Sequence, residues 1–207
     1  MKENKTQKKI QISIRAKILV GMVVCTLIVA NLSGWFLMNQ AKTMLLEQCK
    51  QNAGSSAKIA AQRVDGDLLE QLQAGDEGSA DYEEILSQLQ EFLCGDEIKY
   101  IYTMRMNGDR LEFIVDADTE EGAAIGEAYE IYDEIAEAFD GNVTVDSEMT
   151  SDEWGDFYSA FAPVHNSAGD IVGIVGVDCS ATEIRIQQSA LIRKFMLIEL
   201  VGLAIAV

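Results

Sequence analysis

The chain has 207 residues, 16 basic and 34 acidic side chains, a formal net charge of −18 and a mean hydropathy of +0.05, enough for one domain with accessory segments. The charge is unevenly placed: six lysines and arginines precede Ile18 against the single Glu3, whereas Thr43 to Leu191 holds seven basic and 32 acidic residues. A segment that acidic argues against nucleic acid or an anionic lipid surface as its partner.

Residues 1–17 form a basic leader. From Ile18 to Ala41 no residue is charged, and the 21 positions from Ile18 to Met38 are mostly apolar, sufficient for a transmembrane helix of ~20 residues. A cleaved signal peptide would have a shorter apolar core, roughly 7–15 residues, and a small-residue cleavage site. Here Trp35-Phe36-Leu37-Met38 prolongs the run, so an uncleaved anchor is expected, with the basic leader cytoplasmic and the chain after Gln40 outside.

Between Ala41 and Leu72, Met44, Leu45, Ala53, Ala57, Ala60, Ala61, Val64, Leu68, Leu69 and Leu72 recur at three- and four-residue steps. This predicts one continuous stalk helix over 42–72, suited to pairing with a second copy of the chain. A Gly- and acid-rich loop follows at 74–79. Ser79 or Asp81 is placed to cap a helix from Tyr82 to Cys94, with Ile85, Leu86, Leu89, Phe92 and Leu93 on one face.

Ile98 to Met106 and Arg110 to Asp116 read as a hairpin about Asn107-Gly108, two residues that tolerate positive φ. Tyr100, Tyr102, Met104 and Met106 fall on one side of the first strand, and Ile101, Thr103 and Arg105 on the other. A loop from Asp118 to Gly126, a helix from Tyr129 to Phe139 and a short edge strand from Asn142 to Asp146 come next. A second hairpin pairs Asp156–Val164 with Asp170–Asp178 around His165-Asn166-Ser167-Ala168-Gly169. Ser180 or Thr182 can cap a last helix. Beyond Arg193-Lys194 the chain is apolar except for Glu199, which predicts the start of a second transmembrane helix that would lead to a cytoplasmic portion. The whole reads as an α+β unit on a roughly five-stranded antiparallel sheet.

The ordered set Tyr100-Ile101-Tyr102-Thr103-Met104, Ile125-Gly126-Glu127, Asp140-Gly141-Asn142, Asp152-Glu153-Trp154-Gly155, and the closing hairpin from Ser159-Ala160-Phe161-Ala162-Pro163-Val164 to Gly173-Ile174-Val175-Gly176-Val177-Asp178 resembles Cache domains. These are PAS-like extracytoplasmic sensors of bacterial transmembrane receptors. The resemblance covers roughly residues 60–185 and implies a single Cache sensor over 73–185, leading through 186–207 into the second membrane helix.

It also implies a small-molecule pocket between the sheet and the connection joining the hairpins. Tyr102, Arg105, Phe113, Asp116, Asp118, Tyr129, Trp154, Tyr158 and Asp178 are its candidate lining. In that reading Arg105 grips a ligand carboxylate, Asp178 faces a ligand amine, and Trp154 and the tyrosines form walls. The Arg-x-Trp-Tyr run of amino-acid-binding double Cache receptors is absent from this sequence. Ser13-Ile14-Arg15-Ala16-Lys17-Ile18 is similar to the opening of methyl-accepting chemotaxis proteins. The expected output is therefore that of a chemoreceptor, with diguanylate cyclases, histidine kinases and a protein-binding surface module as alternatives, and the expected assembly is a homodimer.

Other chemistries find little support. His165, the sole histidine, stands beside no nucleophile motif, and no Walker loop, H-E-x-x-H or dinucleotide fingerprint occurs, so neither catalysis nor a cofactor is expected. The acid clusters Asp116-Asp118-Glu120-Glu121 and Glu148-Asp152-Glu153-Asp156 offer a cation-sensing alternative, as in magnesium-sensing kinases of similar ectodomain fold, without a fixed calcium-loop pattern. Cys25, Cys49, Cys94 and Cys179 lack metal-site spacing, so no zinc is expected. Cys25 lies in the apolar run, and free buried thiols are the expectation for the rest.

Overall fold

The computed structural model describes residues 13–93, 98–118, 122–152 and 154–206. It divides into two compact units, one of residues up to Lys42 with those from Leu191, the other Thr43–Ala190.

In the first unit are the opening part of helix α1 (Ile14–Arg63) and the closing part of helix α5 (Ala181–Ala206). Among the described residues, α1 is the one helix long and apolar enough to cross a membrane. Its Ile18, Leu19, Val20, Met22 and Phe36 are exposed. Polar side chains in this stretch bond back onto their own helix, Thr26 Oγ1 to Met22 O at 2.9 Å and Asn31 Nδ2 to Leu27 O at 2.8 Å, which removes their cost in an apolar surrounding. Gly34 lies against the Phe195 ring, where a Cβ would collide.

The second unit is a seven-stranded antiparallel sheet with helices on both faces. Strands β1 (Tyr100–Asn107), β2 (Arg110–Asp116), β3 (Ala128–Tyr129), β4 (Thr144–Val145), β5 (Thr150–Asp152), β6 (Gly155–His165) and β7 (Ile171–Ser180) run in the order β3-β2-β1-β7-β6-β4, with β5 also paired to β6. The five expected strands are β1, β2, β4, β6 and β7. The additional β3 and β5 are short ladders, two and three residues long. Tyr129, expected to open a helix, belongs to β3, and helix α4 occupies Asp133–Phe139.

One face of the sheet is covered by the later part of α1, by α2 (Gly66–Gln71) and by α3 (Ala80–Gln90), the last followed by a 3-10 turn at Glu91–Leu93. Cys49, Ala53, Ala57, Ala60, Ala61 and Val64 of α1 and its end are buried in one cluster with Ile101, Val115, Ala160, Ala162, Val164, Val175 and Val177. Alanines along the stripe let the helix backbone approach the sheet closely.

The expected continuous helix to Leu72 is broken. Helix α1 ends at Arg63, and Asp65 Oδ1 accepts from Asp67 N at 2.9 Å and Leu68 N at 3.2 Å, capping α2 as a new helix. The next residue, Gly66, touches the His165 carbonyl, a contact only a residue without Cβ allows. Periodicity hid the break because Val64, Leu69 and Leu72 stay buried across it. The expected caps Ser79 and Ser180 are in place, accepting from Tyr82 N at 3.2 Å and Glu183 N at 3.3 Å. Cys49 and Cys179 are buried beside each other, the Cys179 Sγ donating to the Cys49 carbonyl at 3.7 Å; Cys25 is exposed, and Cys94 lies outside the described residues.

Candidate functional site

The opposite face of the sheet carries a second, smaller core of Tyr102, Met104, Leu111, Phe113, Ala123, Ile135, Ala138, Phe161 and Ile174. At its edge a pocket is lined by Tyr100, Tyr102, Phe113, Asp116, Asp118, Tyr129, Asp152, Trp154 and Asp178. Its cavity is about 20 Å³, room for a water molecule. An occupant of any size requires its rings to part.

Phe113 is the hub of the aromatic wall. Tyr102, Tyr129 and Trp154 meet it edge-on at centroid distances of 5.2, 5.6 and 5.8 Å. A β-bulge brings Phe113 and Asp116 to the same face. Tyr102 pairs with Asp116 and Met104 with Phe113, which leaves Ile114 as the extra residue of β2. Thr103 Oγ1 accepts from Val115 N at 3.0 Å and so satisfies the disturbed ladder.

Four carboxylates face this wall, and most of their oxygens are held. Tyr102 donates its hydroxyl to Asp178 Oδ1 at 3.1 Å, and Tyr129 donates to Asp152 Oδ2 at 2.8 Å. Asp152 Oδ1 also accepts from Trp154 N and Gly155 N at 2.9 and 3.1 Å, which fixes the turn that presents the indole. Asp116 accepts from Asp118 N and Ala123 N, both at 2.9 Å. Burial pushes the Asp178 carboxyl up to about 7, against the pull of hydrogen bonds from Ser159 and Tyr102, and Asp152 and Asp146 add repulsion. Burial likewise raises Asp116 and the Tyr102, Tyr129 and Tyr132 hydroxyls. Behind Ser159 lies Asp146, its carboxyl also raised by burial, accepting from Ser159 N at 2.9 Å and Thr150 Oγ1 at 2.8 Å.

No protein-family model matches the sequence, and no curated protein does. Solved structures do. The ligand-binding domain of the Campylobacter jejuni chemoreceptor Tlp3 in complex with L-valine is similar at a TM-score of 0.55 and 11% identity, over 79% of this chain and 65% of that one. The sensory domain of the same receptor with isoleucine bound gives 0.54 and 11% over the same shares. The chain thus spans a little less than two thirds of the length of these domains. The fold is that of a Cache-like sensory domain. The sensor domain of Escherichia coli DcuS aligns at a TM-score of 0.44 and 14% identity, over 73% of this chain and 98% of that one.

In this Cache-like unit the structure gathers seven of the nine expected lining residues: Tyr102, Phe113, Asp116, Asp118, Tyr129, Trp154 and Asp178. Arg105 and Tyr158 are corrections. Arg105 lies on the α-helical face of β1, paired with Glu112 Oε1 at 3.0 Å and donating to the Leu72 carbonyl at 2.7 Å. Its alternation with Tyr102 already assigned it there. Tyr158 packs against the α1 cluster with Lys50 Nζ 4.6 Å from its ring, because Phe157 and Ser159 take the pocket side of β6.

Tyr100 and Asp152 line the pocket and were not among the expected residues. Strand parity with Tyr102 could have found Tyr100, and the Asp-x-Trp-Gly turn could have found Asp152. Of the two acid clusters, Glu120, Glu121 and Glu153 lie outside the described residues. Among the described residues no group of three or more His, Cys, Asp or Glu is placed to hold a metal ion. Asp156 is engaged with Ser151 Oγ at 2.7 Å and Arg185 at 3.0 Å.

Proposed function

We propose that this chain is the membrane-anchored sensing portion of a bacterial receptor of the chemotaxis type, binding a small solute outside the cytoplasm in the pocket above β1 and β7. The observation that carries the proposal is the aromatic and acidic pocket on the helix-poor face of a sensory-domain fold. Domains of this fold bind L-valine and isoleucine in the Campylobacter receptor, which supports a small polar solute here. The basic leader, the spanning stretch 18–41 and the acidic composition of 43–191 support a cytoplasmic N-terminus and an external sensor.

A helix that leaves the membrane, runs through 42–63 and is packed on the sensor sheet gives a direct mechanical link. A solute that prefers one seating of the sheet on α1 and α5 shifts the population of helix positions. Paired copies of the chain would transmit that shift. A cyclase or kinase output fits the same portion equally.

The test is topological. Single-cysteine variants at Ser55 and Ser167, on a background without Cys25, Cys49, Cys94 and Cys179, are probed on intact cells with a membrane-impermeant thiol reagent. Labelling at both positions is expected. Protection until lysis places the unit in the cytosol and overturns the proposal.

A further inference from the structure

The charge and chemistry of the pocket lining specify its occupant more narrowly, given the reading above that the pocket is the ligand site. Four carboxylates, Asp116, Asp118, Asp152 and Asp178, and five aromatic rings line it, and no Lys, Arg or His among the described residues does. The basic side chains nearest this region are not among its lining residues. Arg105 is on the other face with Glu112, and Lys99 stands 5.4 Å from the Tyr100 ring. A ligand carboxylate would enter a field of like charge without a guanidinium to receive it. Ring faces beside carboxylates suit an organic ammonium, which gains from both. A hard metal ion needs a cage of oxygens instead, and the described residues offer no such set.

The acids sit in two groups. Asp178 on β7 forms one with Asp152, whose charge repels it, and Asp116 at the end of β2 forms the other with Asp118 just beyond the strand. These strands flank β1, where Tyr100 pairs with Asp178 and Tyr102 with Asp116. Two strand spacings of ~4.8 Å and a stagger of two residues along β1 set the backbone positions of Asp178 and Asp116 roughly 12 Å apart, with the aromatic wall between them. A single ammonium neutralises one group and leaves the other. Behind Asp178, Asp146 adds a buried carboxylate whose Oδ1 makes no hydrogen bond of good geometry, though the Tyr132 hydroxyl steadies its charge.

We infer that the pocket takes a short linear diamine without a carboxylate, one ammonium against Asp178 and the other against Asp116 and Asp118, its methylenes lying across Phe113 and Trp154. Amino acids of the kind bound by the Campylobacter domain are then poor ligands here.

Calorimetric titration of the full chain in detergent micelles with 1,4-diaminobutane, butylamine, L-valine and magnesium chloride tests the inference. The diamine is expected to bind at least about tenfold more tightly than butylamine or L-valine, with magnesium giving no saturable heat. Asp178→Asn is expected to weaken the diamine by about 30-fold or more, as loss of a buried charge partner does, and Asp118→Asn by about tenfold. Should Asp178→Asn fail to fold, Asp118→Asn and Tyr129→Phe serve in its place. L-valine binding more tightly than the diamine, with sensitivity to Trp154→Ala, overturns the diamine assignment and leaves the pocket reading standing. No saturable binding by any probe, or binding indifferent to every pocket substitution, overturns both.

Discussion

The Tyr102 hydroxyl reaches Asp178 Oδ1 at 3.1 Å although the two residues sit on neighbouring strands and are not register partners. Tyr102 pairs with Gly176, and its ring lies over the space that a side chain at 176 would fill. Gly176 is therefore what lets the phenol slant along β7 to the next inward residue, Asp178.

Gly176→Ala is expected to push the ring off the strand and break the hydrogen bond, at a cost of about 1–3 kcal/mol for overpacking. Thermal melts give the cost. Loss of the Tyr102 donor, which favours the ionised carboxyl, moves the Asp178 titration to higher pH, and a carboxyl-labelled NMR titration reads that shift.

Asp178→Asn is expected to stabilise the protein in alkali. The folded carboxyl titrates at about 7 against an ordinary 3.8, so the folded state binds the extra proton between those values. Its stabilising contribution is complete below pH 3.8 and lost as pH rises through 7. About three units at roughly 1.36 kcal/mol each make the loss about 4 kcal/mol as an order of magnitude. Asparagine is uncharged throughout, so its melting temperature should exceed that of the parent by several degrees at about pH 8, with the gap closing toward about pH 4. An equal gap at both values would show that Asp178 is ionised when folded in acid.

Sequence alone reached most of this unit because both hairpins announce themselves. Asn107-Gly108 fixes the first turn, and the apolar runs on either side of Asn166 fix the second. Alternation along β1 is enough to sort Tyr102 from Arg105, yet the family resemblance drew Arg105 back into the pocket. The Ile114 bulge could not be read, since it depends on how β2 meets β1 and not on any composition cue. Nor could the break at Val64–Asp65, where the apolar spacing continues undisturbed and only Asp-Gly hints at a fresh cap.

Arg105 provides a direct check on that sorting. Arg105→Ala removes a partly buried ion pair with Glu112 and the bond to the Leu72 carbonyl at the end of α2. Glu112, 8% exposed, is then left without its cation. A loss of about 2 kcal/mol is expected, below the cost for a fully buried pair because both partners retain some solvent. Ligand affinity should stay within about a factor of two of the parent, the scatter of an uninvolved site. A large affinity loss without destabilisation would put the guanidinium in the pocket after all.

Ala57 tests the seat of α1 on the sheet. It is fully buried in the helix stripe, where a larger side chain has nowhere to go, so Ala57→Leu is expected to cost about 1–3 kcal/mol by overpacking. Under the proposed receptor function, in which this helix carries the signal, the same substitution should also bias the output without ligand. A reporter of the downstream response in cells reads that bias, and a melt of the purified chain reads the cost.

Cation binding should be linked to the state of Asp178. A bound ammonium favours the ionised carboxyl, so it must displace the proton that the empty pocket holds at a carboxyl titrating at about 7. Affinity for a diamine is therefore expected to be constant well above that value and to fall as pH drops through it, approaching about tenfold per pH unit while one proton is exchanged. Asp178→Asn should bind weakly with the slope abolished. Calorimetry at about pH 6, in two buffers of different ionisation enthalpy, measures the proton released per ligand bound, expected to be close to one; a value near zero would mean that the carboxyl is ionised before the ligand arrives.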